Sequence, residues 1–176
     1  IPGKGKAQVG LLPWACHNLW LIYRHKMDDD VLRHKLFPLL KESINYYLHF
    51  LKQGSDGKLH LPTTYSPEYD VVEDCNFDLA LLRWGCQTLV ESAHRLKIQD
   101  PLIDTWKNVL LNLTPYPMDE NGLLIGKDMP YAFSHRHYSH LLASGKVNLK
   151  PCSVIHVQAH PPYPLLSVKE TMHLHI

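Results

Sequence analysis

The chain has 176 residues, enough for one domain with a sizeable core, and 20% of them are charged, with a formal net charge of +1. This balance gives no electrostatic reason to expect nucleic acid or an anionic membrane as a partner. No apolar run approaches the roughly 20 residues that a membrane span needs. We therefore expect neither of these partners.

The first predicted elements are two helices joined by an acidic turn. Ala15, Leu19 and Ile22 recur at steps of four and three and predict a helix over residues 12–26. Residues 28–30 are all aspartate and predict a turn and an N-cap rather than a metal site, because a carboxylate accepts from the free N–H groups at a helix start. The second helix is predicted over residues 31–53, with a kink or a late start at Pro38, which lacks a backbone N–H.

Two more helices are predicted beyond a polar stretch at residues 59–78. The third covers about 77–98 with Asp74 as its N-cap, and the fourth begins with Asp100 as N-cap and Pro101 as first helical residue. A short strand is predicted over residues 123–125. The apolar stripes of the last three helices are Leu36, Leu40, Ile44, Tyr47 and Leu51; Leu82, Cys86, Leu89, Ala93 and Leu96; and Leu102, Trp106, Val109 and Leu113.

The order of elements predicts the fold class and the domain organisation. Strands do not alternate with helices, so we expect an all-α fold of helix pairs with long loops at one end. Residues 1–143 are predicted to form this helical domain. Residues 144–176 are rich in proline and histidine and have no useful periodicity, which predicts an irregular tail.

The stretch at residues 59–78 is the first that can carry chemistry, and Glu68 stands at its centre. Pro67 precedes Glu68 and stiffens the backbone, while Tyr65 and Tyr69 flank it. Partial desolvation by these rings favours the protonated carboxyl, as a general acid of a sugar-cleaving site requires. The alternative is an ordinary surface glutamate after a Ser-Pro turn. Asp78 either complements the dipole of the third helix or holds a sugar hydroxyl in a pocket.

A second polar cluster contains His135, His137 and His140, whose spacing can bring three imidazoles to one metal ion. Metallo-β-lactamase-like hydrolases need aspartate where this chain has Ser139. The alternative is a network that hydrogen-bonds substrate, with Arg136 fixing a nearby carboxylate. A metal-dependent hydrolase and a non-catalytic carbohydrate-binding helical module thus both stay open beside a glycosidase. Aromatic residues such as Trp14 could stack on sugar rings or pack in the core.

Four pieces of sequence, taken in order, resemble the catalytic domain of glycoside hydrolase family 95, the α-L-fucosidase family. The resemblance covers about residues 12–142. Its most specific pieces are S-P-E in the first loop and H-R-H-Y-S-H-L in the second. The pieces are W-A-C-H-N-L-W-L-I-Y-R-H-K-M-D-D-D-V-L-R, F-P-L-L-K-E-S-I-N-Y-Y-L-H-F-L, Y-S-P-E followed by N-F-D-L-A-L-L, and H-R-H-Y-S-H-L.

The resemblance implies part of an (α/α)6 barrel and an inverting hydrolase of terminal α-L-fucosyl or related α-L-galactosyl linkages. It places Glu68 on the general acid, with a carbohydrate as substrate and no metal or cofactor. The family's water-activating asparagine pair and aspartate have no counterpart in this chain, so we expect a fragment that is inactive alone and exposes apolar helix faces. The residues predicted to bind substrate are Trp14, Tyr65, Asp78, His135, Arg136, His137 and His140.

Overall fold

A computed structural model of the protein describes residues 8–67, 69–133, 139 and 141–142. Within these ranges the protein is a helical domain, as predicted, with short antiparallel hairpins between its helices. None of the described helices has the length and apolar character of a membrane span. The helical segments are α1 (Leu11–Lys26), α2 (Asp29–Val31), a π-helical turn (Leu32–Leu36), α3 (Phe37–Leu48), α4 (Asn76–Leu96) and α5 (Ile103–Asn112).

The strands pair within three hairpins of two residues each in the described part of the chain. The predicted strand at residues 123–125 is shifted, since Gly122–Leu123 forms the strand and Ile125 is buried beyond it. The strands are β1 (Lys52–Gln53) with β2 (Leu59–His60), β3 (Thr64–Tyr65) with β4 (Val71–Val72), and β5 (Met118–Asp119) with β6 (Gly122–Leu123).

Helix α1 lies where it was predicted, but its buried face was predicted wrongly. Ala15 is exposed and Ile22 is 52% exposed, whereas Cys16 and Tyr23 are buried. The cause is that the helix carries apolar residues on two neighbouring faces, and the one with aromatic side chains packs on α4. Trp20 packs edge-on against Trp84 of α4 in this contact.

The next helix begins as the acidic turn predicted. Asp28 is the N-cap of α2, and its carboxylate accepts from the backbone N–H of Asp30 at 2.9 Å. The π-helical turn follows, and in it the N–H of Phe37 donates to the carbonyl of Leu32. Pro38 stands in the first turn of α3, so the missing proline N–H is accommodated by a late helix start next to a widened turn.

Helix α4 is the centre of the core, and α1, α3 and α5 all pack on it. Its predicted stripe is confirmed, as are Leu36, Leu40, Ile44 and Tyr47 of the preceding helix, but that helix ends at Leu48 rather than at the predicted residue 53, so Leu51 lies beyond it. Gly85 allows the close approach of α3, because a Cβ atom there would collide with the Ile44 side chain. The buried stripe residues of α4 are Leu82, Cys86, Leu89, Ala93 and Leu96.

Helix α5 begins later than predicted, and Asp100 is not its N-cap. The cap position belongs to Leu102, whose N–H donates to the Asp100 carboxylate at 3.0 Å. The second oxygen of Asp100 pairs with Lys41 of α3 at 2.6 Å. Asp100 therefore closes the turn before the helix and joins it to α3. The predicted tail at residues 144–176 lies outside the described residues, so the boundary at residue 143 stays a prediction.

Candidate active site

The residues on either side of Glu68 connect the two strands of the β3–β4 hairpin, which we call the acid-loop hairpin. Thr64 pairs with Val72 and Tyr65 with Val71, which leaves residues 66–70 as the connection. Two backbone hydrogen bonds close this turn: Ser66 N–H to Asp70 O at 2.9 Å, and Tyr69 N–H to Ser66 O at 3.0 Å. Glu68 itself lies outside the described residues. The residues on either side of Glu68 therefore form a tight turn at the end of the hairpin, and Ser66 and Pro67 of this turn are buried.

A buried hydrogen bond joins this turn to the second polar cluster. The hydroxyl oxygens of Ser66 and Ser139 are 2.8 Å apart, and both side chains are buried. Ser66 precedes Glu68 by two positions and Ser139 immediately precedes His140. The two most specific pieces of the sequence are thus brought together at these serines. His135, Arg136, His137 and His140 themselves lie outside the described residues.

Tyr69 fastens the segment that leads into the second cluster. Its hydroxyl donates to the carbonyl of Pro130 at 3.2 Å and accepts from the N–H of Ala132 at 2.7 Å. Its ring stacks on Phe133 with centroids 4.2 Å apart and an interplanar angle of 3°. One side chain beside Glu68 therefore fixes both the backbone and a ring of residues 130–133.

Asp78 is the most deeply buried carboxyl of the predicted site, with 0% of its surface exposed. The hydroxyl of Tyr47 on α3 donates to one oxygen at 2.6 Å, and the hydroxyl of Thr64 on β3 donates to the other at 2.5 Å. Burial raises the pKa of Asp78 to about 6, although both hydroxyl hydrogen bonds favour the charged form. Among the described residues no cation pairs with it. Asp78 thus braces α3 and the acid-loop hairpin against α4.

Trp14 lies at the same end of α4 as Asp78. Its ring packs edge-on against Phe77 with centroids 5.7 Å apart, and its side chain is half-buried. Gly10, just before α1, is packed so closely here that a Cβ atom would lie 2.7 Å from an Asp78 carboxylate oxygen. Tyr65 is half-buried on β3. The structure thus gathers Trp14 and Asp78 near the base of the acid-loop hairpin, while their roles toward substrate stay predictions.

The prediction for Asp74 was wrong, because Cys75 occupies the N-cap position of α4. Asp74 has a left-handed backbone with φ of 46°, which turns its carboxylate back toward β2. One oxygen accepts from the Leu61 N–H at 2.8 Å, and the other lies 2.7 Å from Nδ1 of His60. Nε2 of His60 lies 3.1 Å from Asp56. This clamp, Asp56–His60–Asp74, fixes the start of α4 to the β1–β2 hairpin.

The partners that hold the site together were not predicted from the sequence. Tyr47 and Thr64 were not predicted to bind Asp78, nor Ser66 to bind Ser139. Each pair joins residues far apart along the chain, and no local spacing indicates such contacts.

Metal-binding groups were the basis of one alternative prediction. Over the described ranges, no cluster of three or more His, Cys, Asp or Glu side chains could hold a metal ion. The three histidines of that alternative lie outside these ranges. The metal-dependent hydrolase therefore stays an untested prediction.

Comparison with known proteins places the chain in a family. The family model of the glycosyl hydrolase family 95 catalytic domain matches residues 6–163, a range that runs past the start of the predicted tail. The protein described as Alpha-L-fucosidase 2 from Arabidopsis thaliana is 28% identical over 160 residues. The match covers 80% of this chain but only 19% of that relative's length. The chain therefore belongs to the glycosyl hydrolase family 95 catalytic-domain family.

Proposed function

We propose that this chain is the acid-bearing part of a hydrolase that cleaves terminal α-L-fucosyl or related α-L-galactosyl linkages with inversion. The family match supports a glycoside hydrolase, and the relative's name, Alpha-L-fucosidase 2, supports fucose as the sugar. The proposed acid is Glu68, which protonates the glycosidic oxygen as the bond to the leaving group breaks.

The observation that carries the proposal is the buried contact between Ser66 and Ser139. It joins the turn that contains Glu68 to the motif that contains His137 and His140. A glycosidase needs its acid beside groups that hold the sugar, and donors such as imidazole and guanidinium suit sugar hydroxyls. The proposed sugar-binding residues are Trp14, Tyr65, His135, Arg136, His137 and His140, and Asp78, which is fully buried, is proposed to act through the hairpin that it holds.

We further propose that the chain supplies part of an (α/α)6 barrel and is inactive by itself. It spans 19% of the matched relative's length. Inversion needs a second carboxyl or equivalent base that activates water, about 6.5–9.5 Å from the acid. We assign no described residue to this base, and we place it in another part of the barrel.

The experiment compares Glu68→Gln with the parent in the longest protein that the gene encodes around this chain. The substrates are an α-L-fucosyl disaccharide, whose leaving oxygen needs a proton, and α-L-fucosyl fluoride, whose fluoride leaves without one. Loss of general acid catalysis costs about 10²- to 10⁴-fold. We expect a loss of that size in kcat for the disaccharide only.

Glu73→Gln is the matched control, because Glu73 is an exposed carboxylate just after β4 of the same hairpin, paired with Lys127 at 3.2 Å. It should leave both activities unchanged. Equal losses on both substrates for Glu68→Gln would show that Glu68 is not the acid. Full activity of the 176-residue chain alone would refute the proposed inactivity of the part.

A further inference from the structure

Three aromatic side chains, one of which directly follows Glu68 in the sequence, form a stack. Tyr69 and Phe133 are stacked almost parallel, at 4.2 Å and 3°, and Tyr131 lies 6.1 Å from Tyr69 at an angle of 25°. We call Tyr69, Tyr131 and Phe133 the aromatic platform. Tyr69 and Phe133 stack face to face, so the apolar surface that they offer is the face of Phe133 turned away from Tyr69, together with the ring edges.

The platform is held in place from two sides. Tyr69 and Tyr131 are partly buried and pack against the hydrophobic core. The two hydrogen bonds of the Tyr69 hydroxyl, to the backbone of Pro130 and Ala132, fix the segment that carries the other two rings. A surface that is ordered before a ligand arrives loses less entropy when the ligand binds.

Phe133 leaves the platform accessible, since 54% of its surface is exposed. A single exposed apolar side chain needs no explanation. Here, however, the exposed ring belongs to an ordered stack, and the stack includes the residue that directly follows Glu68. The Cα atoms of Glu68 and Tyr69 are about 3.8 Å apart as neighbours in the chain, which ties the platform to the turn that carries the proposed acid.

The chemistry of the acid defines what lies on this side of the site. A general acid delivers its proton to the oxygen that joins the terminal sugar to the leaving group, so residues next to the acid can also contact the leaving group. Pyranose rings present flat C–H faces, and aromatic side chains are the usual apolar lining of ligand sites. We propose that the aromatic platform binds the leaving-group sugar of the substrate, with Phe133 as its principal contact.

This inference rests on the proposed function and deepens it, because it assigns the residues that select the leaving group. It predicts that the platform raises kcat/KM only for substrates whose leaving group is large enough to reach it. A sugar or an aryl ring covers Phe133, whereas a fluoride ion reaches no part of it. Removal of the ring therefore weakens the transition state for one class of substrate and not for the other.

The test uses Phe133→Ala in the longest protein that the gene encodes around this chain, with the disaccharide and the fluoride as substrates. We expect kcat/KM for the disaccharide to fall about three- to tenfold, as loss of one aromatic contact produces. Hydrolysis of the fluoride should stay within about twofold of the parent, because its leaving group makes no contact with the ring. Phe133→Trp should restore most of the loss.

Tyr46→Ala is the matched control, since Tyr46 is an aromatic residue of similar exposure, 53%, stacked edge-on with Phe50 on another part of the surface. It should change neither substrate. Thermal unfolding of each variant checks that the fold is kept, and Phe133→Leu replaces Phe133→Ala if that variant is unfolded.

Three outcomes would overturn the inference, and they are distinct. Equal losses on both substrates mean that Phe133 supports the fold or the acid, and no loss on either means that the ring touches no substrate. Both leave the proposed function standing. Absence of hydrolysis of both substrates by the parent protein refutes the proposed function, and the platform's role with it.

Discussion

At the scale of single residues, Asp78 is a carboxyl whose environment opposes its charge. It is fully buried, and only the hydroxyls of Tyr47 and Thr64 stabilise its ionised form among the described residues. Burial raises its pKa from 3.8 to about 6. The folded protein therefore binds a proton on Asp78 at pH values where the unfolded chain has released it.

The sign of the resulting pH dependence follows from linkage. The folded state holds more protons than the unfolded state between pH 3.8 and about 6, so this group lowers the free energy of unfolding as the pH rises through that range. The free energy of unfolding falls by about 3 kcal/mol in total because of this group, and the fall is complete above the folded-state pKa of about 6. The stability difference between Asp78→Asn and the parent should change by this amount in favour of the variant as pH rises.

Urea unfolding of both proteins from pH 4 to pH 8 measures this difference. Asp104→Asn is the control, because Asp104 is an exposed carboxylate in the first turn of α5, and its difference from the parent should be small throughout. A difference that stays constant with pH for Asp78→Asn would show that Asp78 titrates as in the unfolded chain.

Single-residue roles were the hardest to predict from sequence. Asp28 was predicted correctly because an N-cap needs only its own helix start. The role of Asp74 was predicted wrongly, because its left-handed backbone turns the side chain toward His60. The local sequence pattern indicates neither this backbone conformation nor a partner fourteen positions away. The same reason explains why the Ser66–Ser139 contact was missed.

At the scale of elements, periodicity predicted helices well where burial is one-sided or complete. The stripe of α3 holds because one face of that helix meets α4. The stripe of α4 holds because that helix is buried along most of its circumference. Helix α1 has two adjacent apolar faces. Periodicity alone does not indicate which of them packs against the other described helices.

The Asp56–His60–Asp74 clamp is an element-scale contact, since it joins the β1–β2 hairpin to the start of α4. The hydrogen bond with Asp74 is the main reason that the pKa of His60 lies above its ordinary value of 6.5. The histidine cation is therefore more favourable in the folded state. Its stabilisation is complete below pH 6.5 and is lost as the pH rises through the raised pKa.

We expect His60→Gln to destabilise the protein more at pH 6 than at pH 9, because only the cation gains from both carboxylates. Hydrogen exchange of the Gly54 amide, which donates to Lys58 O at 2.8 Å within the hairpin, reports the local effect. His34→Gln, at an exposed helical position, is the control. A loss of equal size at both pH values would mean that His60 acts by packing alone.

At the scale of the whole molecule, the sequence indicated helix pairs but contains too little to define a closed barrel. Helix α1 has exposed apolar residues beside its buried face, with Leu11 at 51%, Leu12 at 44% and Ile22 at 52% exposed, although Leu19 of the predicted stripe packs against the core. Contiguous apolar faces of this kind mark surfaces that pack on another element. In the proposed barrel, this face lies against helices that the chain does not supply.

The 176-residue chain by itself should therefore associate through α1 with a second copy, which is the nearest available apolar partner. Sedimentation velocity over a range of concentrations should show a reversible dimer or larger species. Replacing Leu12 and Ile22 together with glutamate should shift the distribution to monomer, because burying two carboxylates at such a contact is unfavourable.

Leu111→Glu is the control, since Leu111 is 77% exposed on α5 and lies apart from α1. A well-folded monomer at all concentrations would show that the exposed face of α1 does not need a partner, and it would weaken the case that this helix belongs to a larger barrel.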